Sequence, residues 1–427
     1  MRVVLLSETF TKGMGYLENL LPKYLARLGV ETHVVASDLP CYYRQKAGSE
    51  AYSGFLEPLQ PGSVEVRDGF TLHILGHRKT FGHMRMTGFR EKLSWIRPDV
   101  VQTSTPIGWI ALDAARCKAA FGYKLFTGSH HHASVFPLAT EPTSLWSADR
   151  LKCLALRTIP GWLVSRMTEK CHAISEDCAD VAARFFGVPR SKLEICPLGV
   201  DTELFHSAAS AGEAAERTAL RARLGFPENE IVCVYSGRFS AEKNPLLLAR
   251  AVAELRRQGE SYSGLFVGNG EQAEEIRKCQ GCLTHPFVKV EELGALYRSA
   301  DIGAWPAQES LSMLDAAACG LPIVANDTMS AKERLYGNGM TYRLNDQTDL
   351  ARALCGLRDV ETRRVMGECG ARKMAEQFSW ESIARRRIGG YEAALGFNKM
   401  AIDKHAEEKL IGKVGQARLP AAGVEGE

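Results

Sequence analysis

Short runs rich in β-branched and aromatic residues alternate with longer segments of helical period, and this alternation begins a second time near the middle of the chain. The short runs cover residues 3–6, 32–35, 100–102, 124–127 and 172–174, and then residues 231–235, 264–267, 302–305 and 323–325. Strands that alternate with helices predict parallel sheets with helices on both faces. Because the chain has 427 residues, one hydrophobic core cannot hold all of it. The sequence therefore predicts an α/β protein with two Rossmann-like, doubly wound parallel-sheet domains that face a central cleft.

The change from the first set of strands to the second gives the predicted domain boundaries. We expect one domain over residues 1–204, a linker over residues 205–228 that is rich in Ala, Ser, Glu and Arg, and a second domain over residues 229–377. Residues 398–427 have little apolar periodicity, which predicts a flexible tail. In open parallel sheets ligands bind beyond the carboxyl ends of the strands, so we expect the chemistry in the cleft.

Composition and patterning exclude several classes of protein. A net charge of +3 gives no reason to expect a nucleic-acid partner. The N-terminal segment is too short and too polar for a secretory signal, and no apolar run reaches the roughly 18 residues that a membrane span needs. The twelve cysteines are scattered, and the Cys-x-x-Cys pair, Cys279 and Cys282, has no second pair at zinc-ligand spacing. We therefore expect a cytoplasmic protein with reduced thiols.

The first predicted strand is followed by a loop with Gly13, Met14 and Gly15, at the point where a helix is expected to start. Glycine lets the backbone approach an anion closely, and a helix N-terminus adds partial positive charge. The loop is compatible with phosphate contact and also with an ordinary turn. It is not the dinucleotide-binding fingerprint, because Glu18 stands where the third glycine would be.

In the second domain a predicted strand leads into Gly237 and Arg238, with Lys243 at the mouth of the next helix. Two fixed cations at one edge of a sheet suit a diphosphate whose charge grows in the transition state. A solvated surface loop is the alternative interpretation. Another strand ends in Gly268 and Asn269, and we expect this second loop to lie near the first.

A further strand of the second domain runs into a polar loop and then a helix of small residues. Glu309 lies at the mouth of this helix, where it could accept hydrogen bonds from sugar hydroxyls. Asp315 lies inside the helix, where it could reach a ribose. Acidic residues near helix starts are also common as caps, so position alone does not decide between these roles.

Three consecutive histidines, His130, His131 and His132, follow a predicted strand of the first domain. Consecutive side chains point in different directions, so we do not expect them to bind one metal ion together. No DxD motif occurs in the chain, and we therefore predict no metal site. One histidine at a strand end facing the cleft suits a polar contact or a proton-handling group near the reacting sugar.

Together these motifs resemble those of the retaining GT-B glycosyltransferases of family 4 (glycosyl transferases group 1), over roughly residues 1–391. The resemblance is carried by the glycine loop at residues 13–15, His-Ala-Ile-Ser at residues 172–175, the loop with Gly237, Arg238 and Lys243, the stretch at residues 291–302, Ala-Cys-Gly-Leu-Pro at residues 318–322 and Phe-Ser-Trp-Glu at residues 378–381. It implies that residues 378–397 form a helix that returns to the first domain.

The resemblance also implies a role for each matching residue. Arg238 and Lys243 would hold the donor diphosphate, Glu309 would bind donor-sugar hydroxyls, Asp315 would bind the ribose, and His130 would lie beside the anomeric carbon. The implied catalytic residues are His130, Arg238, Lys243 and Glu309. The implied donor-binding residues are Gly15, Gly237, Arg238, Lys243, Gly268, Asn269, Glu309, Ser310, Leu311 and Asp315.

One departure from the family concerns the acidic pair. Seven residues usually separate two glutamates, whereas five separate Glu309 from Asp315 here, and the second acid is an aspartate. Ala307 falls where strict spacing would place a glutamate. The Ala-Cys-Gly turn fixes the position of Asp315 in the motif, whereas Gln308 or Ser310 could share the role of Glu309.

The implied reaction transfers a hexose, with retention and without a metal or cofactor, from a UDP- or GDP-type sugar to a hydroxyl of a lipid or carbohydrate acceptor. We find no carboxylate of the first domain placed as a covalent nucleophile, which favours front-side attack. The alternatives are another GT-B activity, such as a nucleotide-sugar epimerase or a phosphorylase, and a non-catalytic carbohydrate-binding protein.

Residues 151–171 mix apolar side chains with four cations. Such a helix could rest on anionic lipid, which would suit a lipid-linked acceptor and peripheral contact with a membrane. It could equally pack inward with its cations reaching water.

Overall fold

The computed structural model describes residues 1–41, 59–81, 83–133, 136–140, 147–208, 210–329 and 331–397. The predicted tail, residues 398–427, lies outside the described residues. The described residues form two large sheets, each with helices on its faces, and one separate two-stranded sheet, which confirms the predicted α/β class. Every strand predicted from the sequence overlaps an observed strand.

The described part of the first domain contains ten strands, with helices between them. In chain order they are β1 (Arg2–Ser7), α1 (Leu17–Arg27), β2 (Glu31–Ser37), β3 (Val64–Arg67), β4 (Phe70–Leu75), β5 (His77–Thr80), β6 (His83–Met86), α2 (Phe89–Ile96), β7 (Val100–Thr103), α3 (Gly108–Phe121), β8 (Lys124–Ser129), α4 (Pro137–Thr140), α5 (Ala148–Cys153), a π-helix (Leu154–Thr158), α6 (Ile159–Met167), β9 (Thr168–Ala173), α7 (Glu176–Phe185) and β10 (Leu193–Ile195).

The sheet of the first domain has the strand order β10-β9-β8-β7-β1-β2-β4-β3. Val3 and Val4 of β1 are fully buried on opposite faces, as expected for a central strand covered by helices on both sides. The edge strand β3 differs from the parallel expectation, because it pairs antiparallel with β4. Asp68 and Gly69, both with positive φ, form the tight turn between the two strands, and only antiparallel neighbours can be joined so closely.

The second domain repeats the architecture with fewer strands. Its elements are α8 (Ala211–Arg223), β11 (Ile231–Ser236), α9 (Pro245–Arg257), β12 (Tyr262–Val267), α10 (Ala273–Lys278), β13 (Cys282–His285), α11 (Val290–Arg298), β14 (Ile302–Trp305), α12 (Ser312–Ala318), β15 (Ile323–Asn326), β16 (Gly339–Tyr342), α13 (Gln347–Cys355) and α14 (Val360–Gln377). The strand order is β13-β12-β11-β14-β15-β16, and all pairs are parallel.

Helix α8 lies inside the segment predicted as the linker. Ser210 and Glu213 form a capping box at its start. Arg217 and Arg221 donate hydrogen bonds to the two carboxylate oxygens of Asp301, at 2.6 and 2.8 Å. Because Asp301 directly precedes β14, these ion pairs fix the helix to the second domain.

The last helix, α15 (Trp380–Leu395), follows the second domain in the chain but packs on the first. Trp380 and Tyr391 are fully buried in the core that contains β1 and α1. Where the chain crosses back, the Val200 amide donates to the Phe378 carbonyl at 2.8 Å and the Trp380 amide donates to the Val200 carbonyl at 3.1 Å. A Cβ on Gly199 would lie 2.9 Å from the Trp380 ring, so glycine allows the two crossing segments to lie side by side.

Candidate functional site

Two loops of the second domain touch backbone to backbone at the carboxyl edge of its sheet. The Gly237 amide donates to the Val267 carbonyl at 3.0 Å, and the Phe239 amide donates to the Asn269 carbonyl at 2.9 Å. A Cβ on Gly268 would lie 1.9 Å from the Gly237 carbonyl oxygen, and both glycines have positive φ. Only glycine permits this approach, which brings the Gly268–Asn269 loop against the loop that carries Arg238.

Arg238 and Lys243 lie on the loop between β11 and α9. Asn244, in a left-handed conformation, and Pro245 begin α9 immediately after them. Lys243 Nζ donates to the Glu309 carbonyl at 3.1 Å. Burial, and then the positive charge of Arg238, lower the pKa of Lys243 to about 8. A lysine whose pKa is lowered by a neighbouring cation belongs to a site that an anion would stabilise.

The side chain of Glu309 is held by the loop that follows β15. Its Oε1 accepts a hydrogen bond from the Ala331 amide at 3.2 Å, and its Oε2 lies 3.5 Å from Arg334 Nη1. Arg334 is only 4% exposed, so its guanidinium lies beneath the shortened loop that contains Glu309. No sequence motif pointed to Arg334, because it reaches Glu309 from a short 3₁₀ turn on the next loop.

The loop between β14 and α12 is tied to the sheet on both sides. Ser310 Oγ lies 2.7 Å from Ser312 Oγ, which donates to the Ser236 carbonyl at 3.4 Å. The Asn326 side chain donates to the Ala307 carbonyl. Ala307, which stands where the family spacing would place a glutamate, therefore contributes a backbone contact to the neighbouring strand.

A cleft of about 200 Å³ separates the two domains at this edge. Gly13 and Gly15 of the first domain and Leu311 and Asp315 of the second line it. A Cβ on Gly15 would lie 3.4 Å from Val290 Cγ2, so the glycine loop meets the second domain directly. Gly15 and Asp315 are thus brought together, as a site shared by both domains requires.

Asp315 faces another carboxylate across this cleft. Burial, and then the negative charge of Asp201, raise the pKa of Asp315 well above its ordinary value. Asp201 is itself satisfied, because Lys23 Nζ and the Tyr24 hydroxyl each donate to it at 2.7 Å. Asp315, unlike Asp201, can therefore accept hydrogen bonds from the hydroxyls of a ligand.

His130 follows directly after β8 of the first domain and is not among the described residues that line the cleft. Burial, and then the positive charge of Arg387, lower the pKa of His130 to about 3, so the imidazole is neutral near pH 7. Arg387 comes from α15, is 1% exposed and donates to Gln102 Oε1 at 3.2 Å. His130 lies in the first domain, whereas Lys243 and Glu309 lie in the second, so the predicted catalytic residues are divided between the two domains.

The other two histidines make different contacts. The His131 ring packs edge-on against Phe186 with ring centroids 5.1 Å apart. His132, Asp177 and Cys178 form the one group of the described residues whose ligand atoms, within 4.8 Å of one another, could hold a metal ion. Burial opposes protonation of His132, but hydrogen bonds to Asp177 and Cys178 raise its pKa to about 10. His132 Nδ1 lies 3.0 Å from Asp177 Oδ2, so a protonated imidazole forms an ion pair with this carboxylate.

Comparison with known proteins agrees with this geometry. The profile of "Glycosyltransferase Family 4" matches residues 16–204, and that of "Glycosyl transferases group 1" matches residues 230–359. The chain belongs to glycosyltransferase family 4. The two matched ranges correspond to the two sheets, and the second contains the loops with Arg238, Lys243, Glu309 and Asp315.

Relatives of this family 4 chain include two bacterial proteins named D-inositol 3-phosphate glycosyltransferase. The one from Xylanimonas cellulosilytica is 28% identical over 235 residues, 52% of this chain and 56% of the relative. The one from Geodermatophilus obscurus is 27% identical over 310 residues, 68% of this chain and 64% of the relative. The chain thus spans between about half and two thirds of the length of these relatives.

Solved structures share the GT-B fold. Sucrose-phosphate synthase from Thermosynechococcus elongatus is 16% identical, with a TM-score of 0.69 over 93% of this chain and 100% of that one. HepE from Anabaena, in complex with UDP, is 14% identical, with a TM-score of 0.65 over 92% of this chain and 100% of that one. Within the described residues, we find no helix with the length and apolar character to cross a membrane.

Proposed function

We propose that this family 4 protein is a retaining glycosyltransferase that moves a hexose from a UDP- or GDP-type sugar to a hydroxyl of a lipid or carbohydrate acceptor. The observation that carries the proposal is the pair of cations, Arg238 and Lys243, beside two glycine loops in backbone contact. A nucleotide diphosphate has the charge and size that such a loop pair favours. The structural neighbour HepE binds UDP, which supports a nucleotide-sugar donor.

In the proposed reaction the bond between the anomeric carbon and the diphosphate breaks as the acceptor oxygen attacks. Arg238 and Lys243 would stabilise the growing charge on the leaving diphosphate without a metal ion. Because the anion would favour the protonated lysine, donor binding should raise the pKa of Lys243 from about 8. Glu309 would accept hydrogen bonds from sugar hydroxyls, and neutral His130 would contact the sugar beside the anomeric carbon.

Retention would follow from attack on the face that the diphosphate leaves, with the leaving phosphate taking the acceptor proton. A carboxyl group of the first domain on this side of the fold, Glu18, has its pKa raised to about 7 by burial. A carboxyl group that keeps its proton to that pH is a poor nucleophile, which favours front-side attack. A covalent sugar adduct on Glu18, trapped with a fluorinated donor and found by mass spectrometry, would overturn this mechanism.

The relatives are named for an inositol phosphate acceptor, which supports a polyol hydroxyl as the attacking group. We place the activity in the cytoplasm, with peripheral membrane contact if the acceptor is lipid-linked.

The first experiment is thermal-shift binding of UDP, GDP and ADP, with and without EDTA. We expect one nucleotide to raise the melting temperature of the wild-type protein, and we expect the shift to survive EDTA. The Arg238→Ala variant should lose the shift. Arg250→Ala is the matched control, because this exposed arginine pairs with Glu275 on the outer side of the same domain. No shift with any nucleotide, or equal loss in both variants, would contradict the proposed donor site.

A further inference from the structure

The helices before β9 expose an unusual number of large apolar side chains. Fifteen such side chains are exposed in the described part of the chain, and six of them fall within the thirteen residues 151–163. We call these six the leucine face: Leu151, Leu154, Leu156, Ile159, Trp162 and Leu163. Single exposed apolar residues are normal on protein surfaces, but a contiguous group marks an interaction site.

The exposure of the leucine face is not explained by packing of the first domain. The inward side of the same segment already supplies the core contacts through Cys153, Gly161 and Val164, all buried. A Cβ on Gly161 would lie 2.0 Å from the Phe186 carbonyl oxygen, so this side is in direct backbone contact with the end of α7. The outer side therefore remains available to a partner.

Positive charge surrounds the leucine face. Lys152, Arg157, Arg166 and Lys170 are all exposed, and the acidic residues in the same stretch are Asp149 and Glu169. The guanidinium of Arg166 lies 5.0 Å from the centre of the Trp162 ring, as expected where a cation and an aromatic side chain share one surface.

A second element of the first domain has the same combination of apolar and basic side chains. The hairpin of β5 and β6 exposes Arg78, Lys79 and His83, and Phe81 near its tip is 89% exposed. The Phe81 ring stacks on Trp109 at the start of α3, with centroids 6.2 Å apart.

The hairpin and the segment that carries the leucine face both pack against the start of α3. The Trp109 ring N–H donates to the Thr80 carbonyl at 3.1 Å, and the Ile107 side chain lies 3.1 Å from a Cβ built on Gly161, on the inward side of the segment. Both elements therefore border α3 in the first domain, and both combine apolar side chains with exposed positive charge.

This surface also adjoins the acceptor side of the site. Phe186, whose carbonyl touches Gly161, packs against the His131 ring. His131 is the direct chain neighbour of His130. A partner held on the leucine face would therefore lie beside the edge of the first domain at which we expect the acceptor to bind.

We propose that the leucine face and the β5–β6 hairpin dock on an anionic lipid bilayer and present the first domain to a lipid-linked acceptor. The proposal rests on the proposed transferase function for its acceptor, although the docking itself does not require catalysis. Apolar side chains enter the interface between headgroups and acyl chains, while lysine and arginine attract anionic headgroups. This charge complementarity favours a membrane over a protein partner or a second copy of the chain.

The test is co-sedimentation of the full chain with vesicles of phosphatidylglycerol and phosphatidylcholine, compared with vesicles of phosphatidylcholine alone. We expect binding to the anionic vesicles that weakens as salt is added. Leu156→Glu/Leu163→Glu should abolish it. The matched control is Val360→Glu/Val365→Glu, which changes two exposed valines of α14 in the second domain. Lys79→Glu and Lys152→Glu should each lower the partition coefficient by about fivefold or more, whereas Lys278→Glu should not.

Nucleotide thermal shifts on the same samples separate the outcomes. Retained nucleotide binding in every variant shows that the proteins are folded, so a loss of vesicle binding is then specific to the surface. If the wild-type protein binds a nucleotide but not anionic vesicles, the docking proposal is wrong and the transferase proposal stands. Equal loss in the valine control, or a dimer that dissociates on changing Leu156 and Leu163, would also overturn the docking proposal.

Discussion

The two edges that face the cleft are built in different ways. On the second domain, Arg238 and Lys243 follow one strand directly, and glycines fix their loop against the next. On the first domain, His130 owes its neutral state to burial and to Arg387, which arrives from the far end of the chain. The proposed donor edge is thus local in sequence, whereas the proposed acceptor edge is assembled from distant segments. One loop can supply the backbone groups and the charge that a diphosphate would need, whereas an acceptor would be contacted by side chains from several segments.

The largest effect should come from the donor edge. Lys243→Ala removes one of two cations that would stabilise the leaving diphosphate, and we expect kcat/KM to fall by about 10²- to 10³-fold. Steady-state kinetics with the nucleotide sugar identified by thermal shift would measure it. Lys278→Ala, an exposed lysine of α10, is the control. A fall in kcat/KM of less than tenfold would show that Lys243 does not stabilise the leaving diphosphate.

A smaller effect is expected at the acceptor edge. His130→Ala removes one hydrogen bond to a polarised sugar, so kcat should fall by about 30-fold, corresponding to ~2 kcal/mol. Because the pKa of His130 is lowered to about 3, this residue should add no inflection to the pH–rate profile between pH 5 and 8. Arg387→Met removes the neighbouring cation and should move the His130 inflection upward. An inflection near pH 6.5 in the wild-type enzyme that disappears in His130→Ala would contradict this account.

The same pKa has a consequence for stability. An imidazole whose pKa is lowered on folding takes up protons more readily in the unfolded chain, so stability is lost as pH falls from about 6.5 towards 3. The His130→Ala variant should lose less of its free energy of unfolding over this range than the wild-type protein does. Urea unfolding at several pH values would measure the difference.

The smallest effect should appear where the two edges meet. Asp315→Asn should weaken nucleotide binding by about tenfold, since the amide offers the ribose hydroxyls one oxygen acceptor where the carboxyl group offers two. The raised pKa of Asp315 means that its stability contribution is present at low pH and is lost as pH rises through that pKa. The variant should therefore melt at a higher temperature than the wild-type protein at pH 7 without nucleotide. A lower melting temperature would show that Asp315 has a structural partner.

Local sequence was sufficient to predict nine of the fourteen strands that the structure describes in the two large sheets, and the proximity of the Gly237 and Gly268 loops. It could not reveal Arg334, because that side chain meets Glu309 only when two neighbouring strands are aligned in the sheet. Arg387 could not be predicted beside His130 for the same reason, because the last helix brings it there from a distant part of the chain. Five strands of these sheets were not predicted: β3, β4, β10, β13 and β16. Four of them have only three or four residues, which is too short for a periodicity to identify a strand. For Arg334, Arg387 and these short strands, the missing information was a tertiary neighbour.

The two places where the chain passes between the domains are hydrogen-bonded to each other at Val200. Paired crossings confine relative movement of the domains to rotation about one short axis. Such a rotation can widen or narrow the space between Gly15 and Asp315 without breaking a hydrogen bond of either sheet. Release of a spent nucleotide would then require no local unfolding, and its rate would depend on the stiffness of a few residues on either side of Gly199.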